Sequence, residues 1–221
     1  NGAYDISTAT YVQNFSVAPQ EGFPQGMTFN NDGTKMYVIG NNYKYVNEYN
    51  LTTAFDVSSA SFAGISERFS VAGQETSPSG MSFNNDGTKM FVTGWTGDNV
   101  DEYSLSTAFD VSSASHTTLF SVQQQDIYPQ GIAFNNDGTK MFIIGSTGNK
   151  VYEYSLSTAF DVSNSSAVFA GNSERFSVFS QESFPTGMTF NNDGTKMFII
   201  GRNDDEVNEY SLSAAFDVST A

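Results

Sequence analysis

The stretch Phe29-Asn30-Asn31-Asp32-Gly33-Thr34-Lys35-Met36 decides the fold, because the same eight residue types occur three more times in the chain. The other copies begin at Phe83, Phe134 and Phe190, at successive spacings of 54, 51 and 56 residues. A chain of 221 residues is nearly filled by four such copies. We therefore expect one domain, 1–221, of tandem repeats at about 18–71, 72–122, 123–178 and 179–221, preceded by a segment 1–17.

Each copy predicts a small antiparallel sheet, because short apolar runs alternate with Gly, Asn and Asp. In the first copy the predicted strands are A at 26–29, B at 35–39, C at 46–51 and D at 68–71. Gly33 supplies the positive φ that the tight turn between A and B requires. Both alternating faces of strand B are apolar, so every sheet needs a neighbour on each side.

Radial stacking of four-stranded sheets meets this requirement, and the sequence predicts an all-β, four-bladed β-propeller. The phrase Phe15-Ser16-Val17 matches strand D, whereas the chain stops after Ala215-Phe216-Asp217-Val218-Ser219-Thr220-Ala221 without one. We expect residues 15–17 to close the ring as the outer strand of the last blade. The phrases at 3–9 and 215–221 are near copies, so a larger ring, ring closure between chains and another β architecture stay open as alternatives to a closed monomer.

The longer phrase around each copy carries a resemblance to known repeats. Residues 24–38 read P-Q-G-M-T-F-N-N-D-G-T-K-M-Y-V, which resembles the inner hairpin of NHL, YVTN and WD40-like β-propeller repeats. The phrase A-F-D-V-S is similar to repeats in uncharacterised bacterial and phage surface or tail proteins. The resemblance implies a propeller, and those families mostly bind proteins, peptides or glycans.

Composition excludes several classes of function. With 24 acidic and 9 basic residues the formal net charge is −15, which disfavours nucleic acid and anionic membrane surfaces as partners. No apolar run predicts membrane insertion. The chain has no cysteine, which excludes disulfides and thiol catalysis. The compartment stays open, with an extracellular, surface or virion setting compatible with the sequence.

The four copies differ mainly in the loops between strands B and C, which share one face of the predicted disc with the D-to-A loops. We call this face the variable face; its B-to-C loops are 41–45, 95–99, 146–150 and 202–206. Loop variation on a repeated scaffold is a common way to build binding sites. Tyr43, Trp95 and Arg202 are our candidate ligand-binding residues in these loops.

A polar pair also recurs on the variable face, three residues before the proline that opens strand A. Its members are Gln20-Glu21, Gln74-Glu75, Gln125-Asp126 and Gln181-Glu182. One interpretation is that these side chains hold the loops by hydrogen bonds. The other is a polar ring at the channel mouth that binds a sugar, water or a weakly held cation. No other cofactor and no confident metal site is expected.

Catalysis has little support in the sequence. His116 is the single histidine, and we expect it in a surface loop. Asp32 and its copies should hydrogen-bond their own turns and Lys35 should offset their charge. The leading hypothesis is a non-enzymatic binding module for a glycan or a surface partner. A purely architectural repeat scaffold, natural or engineered, is the alternative, and a glycosidase-like hydrolase is third.

Overall fold

The computed structural model describes residues 4–221. Four antiparallel sheets stand in a ring about one channel, so the chain is an all-β, four-bladed β-propeller as predicted. The first sheet, blade 1, contains β1 (Pro24–Phe29), β2 (Lys35–Gly40), β3 (Tyr45–Leu51), β4 (Ala60–Phe62) and β5 (Arg68–Ser70). The two short strands β4 and β5 both pair with β3. Strand β5 corresponds to predicted strand D, whereas β4 is a further short strand that the sequence did not predict.

The other blades repeat this order with local differences. Blade 2 contains β6 (Pro78–Phe83), β7 (Lys89–Gly94), β8 (Asn99–Leu105) and β9 (Ala114–Ser121), so its outer strand is continuous. Blade 3 contains β10 (Pro129–Phe134), β11 (Lys140–Gly145), β12 (Lys150–Leu156), β13 (Ala167–Phe169) and β14 (Arg175–Ser177). Blade 4 contains only β15 (Pro185–Phe190), β16 (Lys196–Gly201) and β17 (Val207–Ser211).

Helical structure is confined to short 3-10 turns in the described residues, at Ile6–Thr8, Val57–Ser59, Ile65–Glu67, Val111–Ser113 and Val218–Thr220. Within residues 4–221, no helix has the length and apolar character needed to cross a bilayer.

The A-to-B turn is fixed by packing as well as by conformation. Gly33 has φ +71°, and a Cβ there would overlap the ring of Phe55. Asp32 accepts hydrogen bonds from the backbone N–H of Thr34 at 3.0 Å and from its hydroxyl at 2.6 Å, as the sequence predicts. The side-chain bond from Thr34 lowers the pKa of Asp32. Glycine is therefore required both for its backbone freedom and for the space it leaves.

Adjacent blades join through one repeated interface. Each blade packs its trailing face on the leading face of the next blade. In blade 1 the trailing face contains Tyr37, Ile39 and Val46, and in blade 2 the leading face contains Met81 and Tyr103. The aromatic residue of strand B packs on the strand A phenylalanine of the next blade: Tyr37–Phe83 at 4.7 Å, Phe91–Phe134 at 4.6 Å and Phe142–Phe190 at 4.7 Å. These three interfaces contain most of the buried core of the molecule.

The predicted closing strand does not form between residues 15–17 and blade 4. Phe15 and Val17 pack on the leading face of blade 1, where Phe15 lies 5.6 Å from Tyr49, and they form no strand with blade 4. Phe15 occupies the place that Phe69 holds against Tyr103 in the next blade. Residues 1–3 of the predicted closing segment lie outside the described residues.

Residues 4–8 lie instead against blade 4. Tyr4 packs near Phe198, and Lys196 Nζ donates a hydrogen bond of 3.0 Å to the Tyr4 carbonyl. The N-terminal segment thus contacts both blades at the fourth seam without completing either sheet.

Two further predictions need correction. Lys35 bonds Glu48 on strand C at 2.7 Å and the carbonyl of Phe109 in the next blade, rather than the turn aspartate, so it joins blades. His116 lies on β9, not in a loop, and its Nε2 is 3.0 Å from Oδ1 of the buried Asp101. Asp101 lies on strand C of blade 2 (β8), which pairs with β9, so the two side chains meet across this strand pair. The spacing of the two residues in the sequence did not reveal this contact.

Candidate binding face

Each unit of the variable face consists of one D-to-A loop bonded to one B-to-C loop. In blade 1 the backbone N–H of Asn41 donates to the Phe23 carbonyl at 3.1 Å. The equivalent bonds in the other blades run from Trp95 to Ser77, from Ser146 to Tyr128 and from Arg202 to Phe184. Loop residues are therefore held in a fixed arrangement on the blade ends.

A buried carboxylate strengthens each unit. Glu21 is fully buried and accepts bonds from the backbone N–H groups of Phe23 at 2.8 Å, Asn42 at 3.0 Å and Tyr43 at 3.2 Å. Backbone donors of this kind satisfy a carboxylate that has been taken out of water. The side chain is thus a brace between the two loops.

The same brace recurs in every blade. Glu75, Asp126 and Glu182 are buried and each accepts three backbone N–H groups. Of the paired glutamines, Gln125 accepts from the Tyr154 hydroxyl at 3.3 Å and Gln181 from that of Tyr210 at 3.5 Å, whereas Gln20 is half-buried and Gln74 is exposed. These contacts favour the loop-holding interpretation, and ligand binding by the eight residues stays a prediction.

The three loop candidates differ in accessibility. Tyr43 is exposed. Arg202 is exposed too, and its guanidinium carbon lies 5.0 Å from the centre of the Phe184 ring. Trp95 is half-buried, and its indole N–H is buried without a hydrogen-bond partner.

Sequence reasoning missed several exposed aromatic side chains on the same face. Phe23, Tyr128 and Phe179 lie in D-to-A loops and are about as exposed as Tyr43. The available signal was the aromatic or apolar residue that several copies carry near the proline of strand A. Exposed aromatic rings grouped on one face are typical of a surface that binds a partner or a ligand.

A central cavity of about 420 Å³ lies between the inner strands. Its polar lining comes mainly from the residue between Pro and Gly in each strand A: Gln25, Ser79, Gln130 and Thr186. Its apolar lining comes from the residue after that Gly in each blade, and from further side chains of blade 4: Met27, Met81, Ile132, Met188, Phe198, Ile199, Ile200 and Val207. These polar positions are the second set that sequence reasoning missed, although every copy has a polar residue there.

Several of the polar groups in this cavity have hydrogen-bond partners. Ser79 Oγ bonds the carbonyl of Pro129 at 2.9 Å, and Gln130 Nε2 donates to Ser146 Oγ at 3.1 Å. Gln130 Oε1, however, is buried without a hydrogen-bond partner. A buried acceptor left unpaired is costly, so a donor at this position would be stabilising.

The described residues bring three acidic side chains together at one place: Glu153, Glu174 and Asp217. Glu153 already pairs with Lys140 at 2.7 Å. Burial raises the pKa of Glu153, although the bond from Lys140 opposes that effect. The cluster lies where blades 3 and 4 join and not on the variable face, and Lys140, which pairs with Glu153 inside blade 3, also donates a hydrogen bond of 2.9 Å to the Phe216 carbonyl of blade 4.

Together the ring of sheets and its repeated interfaces define the chain as a β-propeller repeat protein. No protein-family model matches the sequence, and comparison with curated proteins finds no relative. Solved structures do match in fold.

One similar structure is that of a putative 6-phosphogluconolactonase from Bacteroides fragilis, with a TM-score of 0.57, 15% identity, and coverage of 88% of this chain and 52% of that one. Another is the periplasmic gluconolactonase PpgL of Pseudomonas aeruginosa, with a TM-score of 0.51, 12% identity and coverage of 88% and 50%. A third is the complex of KlAtg21 with the coiled coil of AgAtg16, with a TM-score of 0.51, 15% identity and coverage of 86% and 53%. The chain spans about half the length of these structures, and at such identities the likeness concerns the fold alone.

Proposed function

We propose that the chain is a non-enzymatic binding module whose ligand is a glycan, taken up at the variable face and the adjoining mouth of the central cavity. The observation that carries the proposal is the lining of that cavity. A polar ring that includes the unpaired Gln130 Oε1 stands beside a ring of Met and Ile side chains. Sugars present hydroxyl donors and apolar ring faces, and this lining offers a counterpart for both.

The loops around the mouth support the same ligand class. Tyr43 and Tyr128 are exposed aromatic groups on loops whose backbones are braced by Glu21 and Asp126. Aromatic faces stack on the C–H faces of sugars, and a braced loop loses little conformational entropy on binding.

Hydrolysis is the competing function, because two of the similar structures are named as gluconolactonases. General acid–base catalysis needs a titratable side chain beside the substrate. The side chains that line the 420 Å³ cavity are Gln, Ser, Thr, Met, Ile, Val and Phe. This lining supports binding rather than hydrolysis at the channel.

A protein partner is the second candidate, since one similar structure is a complex with a coiled coil. The exposed aromatic residues of the variable face would suit a protein as well as a sugar.

The proposal is tested by a glycan array with the full chain, followed by titration calorimetry of each hit. We expect Tyr43→Ala and Gln130→Leu each to weaken binding by about tenfold, the effect of losing one stacking contact or one hydrogen bond. Ile65→Ala is the matched control, because Ile65 is 73% exposed in a turn outside the variable face.

An array without hits would overturn the glycan proposal, and the exposed aromatic residues would then be tested against protein partners. Turnover of gluconolactone by the parent chain would overturn the non-enzymatic assignment.

A further inference from the structure

Three carboxylates meet where blade 3 packs on blade 4, away from the proposed glycan site. Glu153 lies on β12 of blade 3, Glu174 in the turn before β14, and Asp217 at the start of the 3-10 turn Val218–Thr220 of blade 4. One carboxylate oxygen of each residue lies within 4.8 Å of one oxygen of both others. Negative charges at such distances repel one another unless a cation compensates.

Backbone contacts fix the places of these side chains. The N–H of Glu153 donates to the Glu174 carbonyl at 3.0 Å, so the turn before β14 is tied to strand C beside Glu153. Asp217 accepts from the backbone N–H of Ser219 at 3.0 Å and from its hydroxyl at 2.6 Å, both through Oδ1. The cluster is therefore built by the fold and does not consist of freely moving surface side chains.

One oxygen of the cluster is buried without a hydrogen-bond partner. The Glu153 side chain is only 4% exposed, and its Oε1 binds Lys140 Nζ at 2.7 Å. Its Oε2 has no partner in the described part of the chain. A buried carboxylate oxygen without a partner is costly, so a cation bound at this oxygen would stabilise the fold.

The repeat shows where this oxygen points. In blade 2 the counterpart oxygen, Glu102 Oε2, accepts the backbone N–H of Val162 in blade 3 at 3.1 Å. Val162 follows Asp161, which stands where Asp217 stands in blade 4. By the same arrangement, Glu153 Oε2 is directed at the turn that carries Asp217, and so into the cluster.

The distances and the charge suit a calcium ion. Ca²⁺ binds oxygen ligands at about 2.3–2.6 Å, so two oxygens on one ion are up to about 5 Å apart. Mg²⁺ binds at about 2.0–2.1 Å in near-ideal octahedral geometry, which suits this spacing less well. Three carboxylates and the ammonium group of Lys140 leave two uncompensated negative charges, which one divalent cation neutralises.

We propose that the junction of blades 3 and 4 binds one Ca²⁺ ion through Glu153 Oε2, a carboxylate oxygen of Glu174 and Oδ2 of Asp217. Glu174 and Asp217 are half-buried, so water molecules can complete the coordination shell. The ion joins the two blades, because Asp217 belongs to blade 4 and the glutamates to blade 3. With three protein ligands, we expect a Kd on the order of 10⁻⁴–10⁻³ M.

Blade 1 offers a matched comparison. Glu48, Glu67 and Asp110 occupy the same repeat positions, and Glu48 Oε2 is also unpaired. Glu67, however, accepts a 2.8 Å hydrogen bond from the Ser66 hydroxyl, and within the described residues these three carboxylates do not form a cluster. The residue types alone therefore do not make the site, and Glu67 supplies a control for Glu174.

Titration calorimetry of the chelator-treated full chain with calcium chloride, in about 0.15 M salt, tests the proposal. The salt screens unspecific attraction of cations to a chain of net charge −15. We expect one Ca²⁺ per chain. Glu174→Gln should weaken binding at least about tenfold, because it removes one charged ligand of three. Glu67→Gln makes the same change in blade 1 and should leave the Kd unchanged.

Thermal unfolding gives a second measurement. Ca²⁺ bound only to the folded chain should raise the melting temperature of the parent and of Glu67→Gln, and Mg²⁺ should raise it much less. In chelator, Glu174→Gln should melt at or above the temperature of the parent, because one of three like charges is gone. That melting transition also shows that the variant folds.

Three results would overturn the proposal. One is a parent chain that shows neither heat of binding nor a rise in melting temperature at Ca²⁺ concentrations about ten times the expected Kd. Another is a Glu174→Gln chain that loses no more affinity than Glu67→Gln, which would assign binding to the general charge of the chain. The third is equal binding of Mg²⁺, which would exclude a site selective for calcium.

Discussion

Lys196 Nζ donates a 3.0 Å hydrogen bond to the carbonyl oxygen of Tyr4, a residue near the other end of the chain. The bond repeats that from Lys140 to Phe216, at 2.9 Å, between two complete blades. Tyr4 also has the left-handed backbone of Phe216, with φ of 62° and 53°. Residues 4–8 thus reproduce the turn that blades 2, 3 and 4 each offer to the lysine of the preceding blade.

Tyr4→Ala tests how much this mimic contributes. The change removes the packing of Tyr4 on Phe198, and we expect the free energy of unfolding to fall by about 1 kcal/mol. Urea denaturation measures the effect. Tyr11→Ala is the control, because Tyr11 is 80% exposed and should matter little to stability. Equal losses in the free energy of unfolding of both variants would show that Tyr4 makes no specific contribution to the stability of the fold.

The buried brace carboxylates are predicted to be structural. Glu75→Gln keeps the shape of the side chain but removes the charge from bonds to the N–H groups of Ser77 and Gly97. We expect a loss of about 2 kcal/mol of stability, because bonds to charged groups are worth more than neutral ones. Gln74→Ala, at an exposed position next to it, should change stability by less than about 0.5 kcal/mol. Thermal unfolding of both variants gives the comparison, and a stable Glu75→Gln protein would contradict the bracing role.

Most of the blade architecture could be predicted because the same residues recur at the same positions in each copy of the repeat. The turn at Gly33 and the apolar faces of strand B recur four times, and each recurrence has the same physical cause. Ring closure could not be predicted in the same way. The F-S-V phrase at 15–17 matches an outer strand, but nothing local to it tells whether a sheet receives it, and in the structure residues 15–17 join no sheet. Residues 3–9 and 215–221 have nearly the same sequence. This similarity was the feature of the sequence that indicated a competing contact.

The candidate site was predictable only in outline. Loop variation located the face, since variation reports where the fold imposes few constraints. The burial of Glu21 beneath its loops depends on the Gly40 neighbour, where any Cβ would meet the carboxylate side chain. A contact between positions this far apart in the sequence produces no periodic pattern from which it could be predicted. Gln130 was overlooked because its role follows from the radial convergence of four strands.

The pair of His116 and Asp101 makes blade 2 unlike the others. Asp101 is buried, which raises its pKa, while the bond from His116 at 3.0 Å acts in the opposite direction. His116→Ala would leave a buried carboxylate without its partner, and we expect a loss of about 3 kcal/mol at neutral pH. The second change Asp101→Asn should recover most of it, because Asn47 occupies that place in blade 1. If the double variant is as unstable as His116→Ala, the stability depends on the packing of the His116 ring on Tyr103 and not on the charge of Asp101.

Acid should destabilise the fold through the four turn aspartates. The hydroxyl of the following threonine and its backbone N–H lower the pKa of Asp32, Asp86, Asp137 and Asp193. A carboxylate with a depressed folded-state pKa stabilises above its unfolded pKa of about 3.9, and this contribution is lost as pH falls through the folded value. Glu48 and Glu153, whose pKa values are raised by burial, act in the opposite sense.

Changing all four turn aspartates to Asn keeps an acceptor for the threonine but removes the titration. Urea midpoints measured between roughly pH 5 and pH 2 should then fall less steeply than in the parent chain. Asp204→Asn with Asp205→Asn is the control, because these residues lie in an exposed loop of the variable face. If the fourfold variant follows the parent curve while folding normally at neutral pH, the acid sensitivity arises elsewhere in the molecule, and the turn bonds do not depend on the charge of the aspartate.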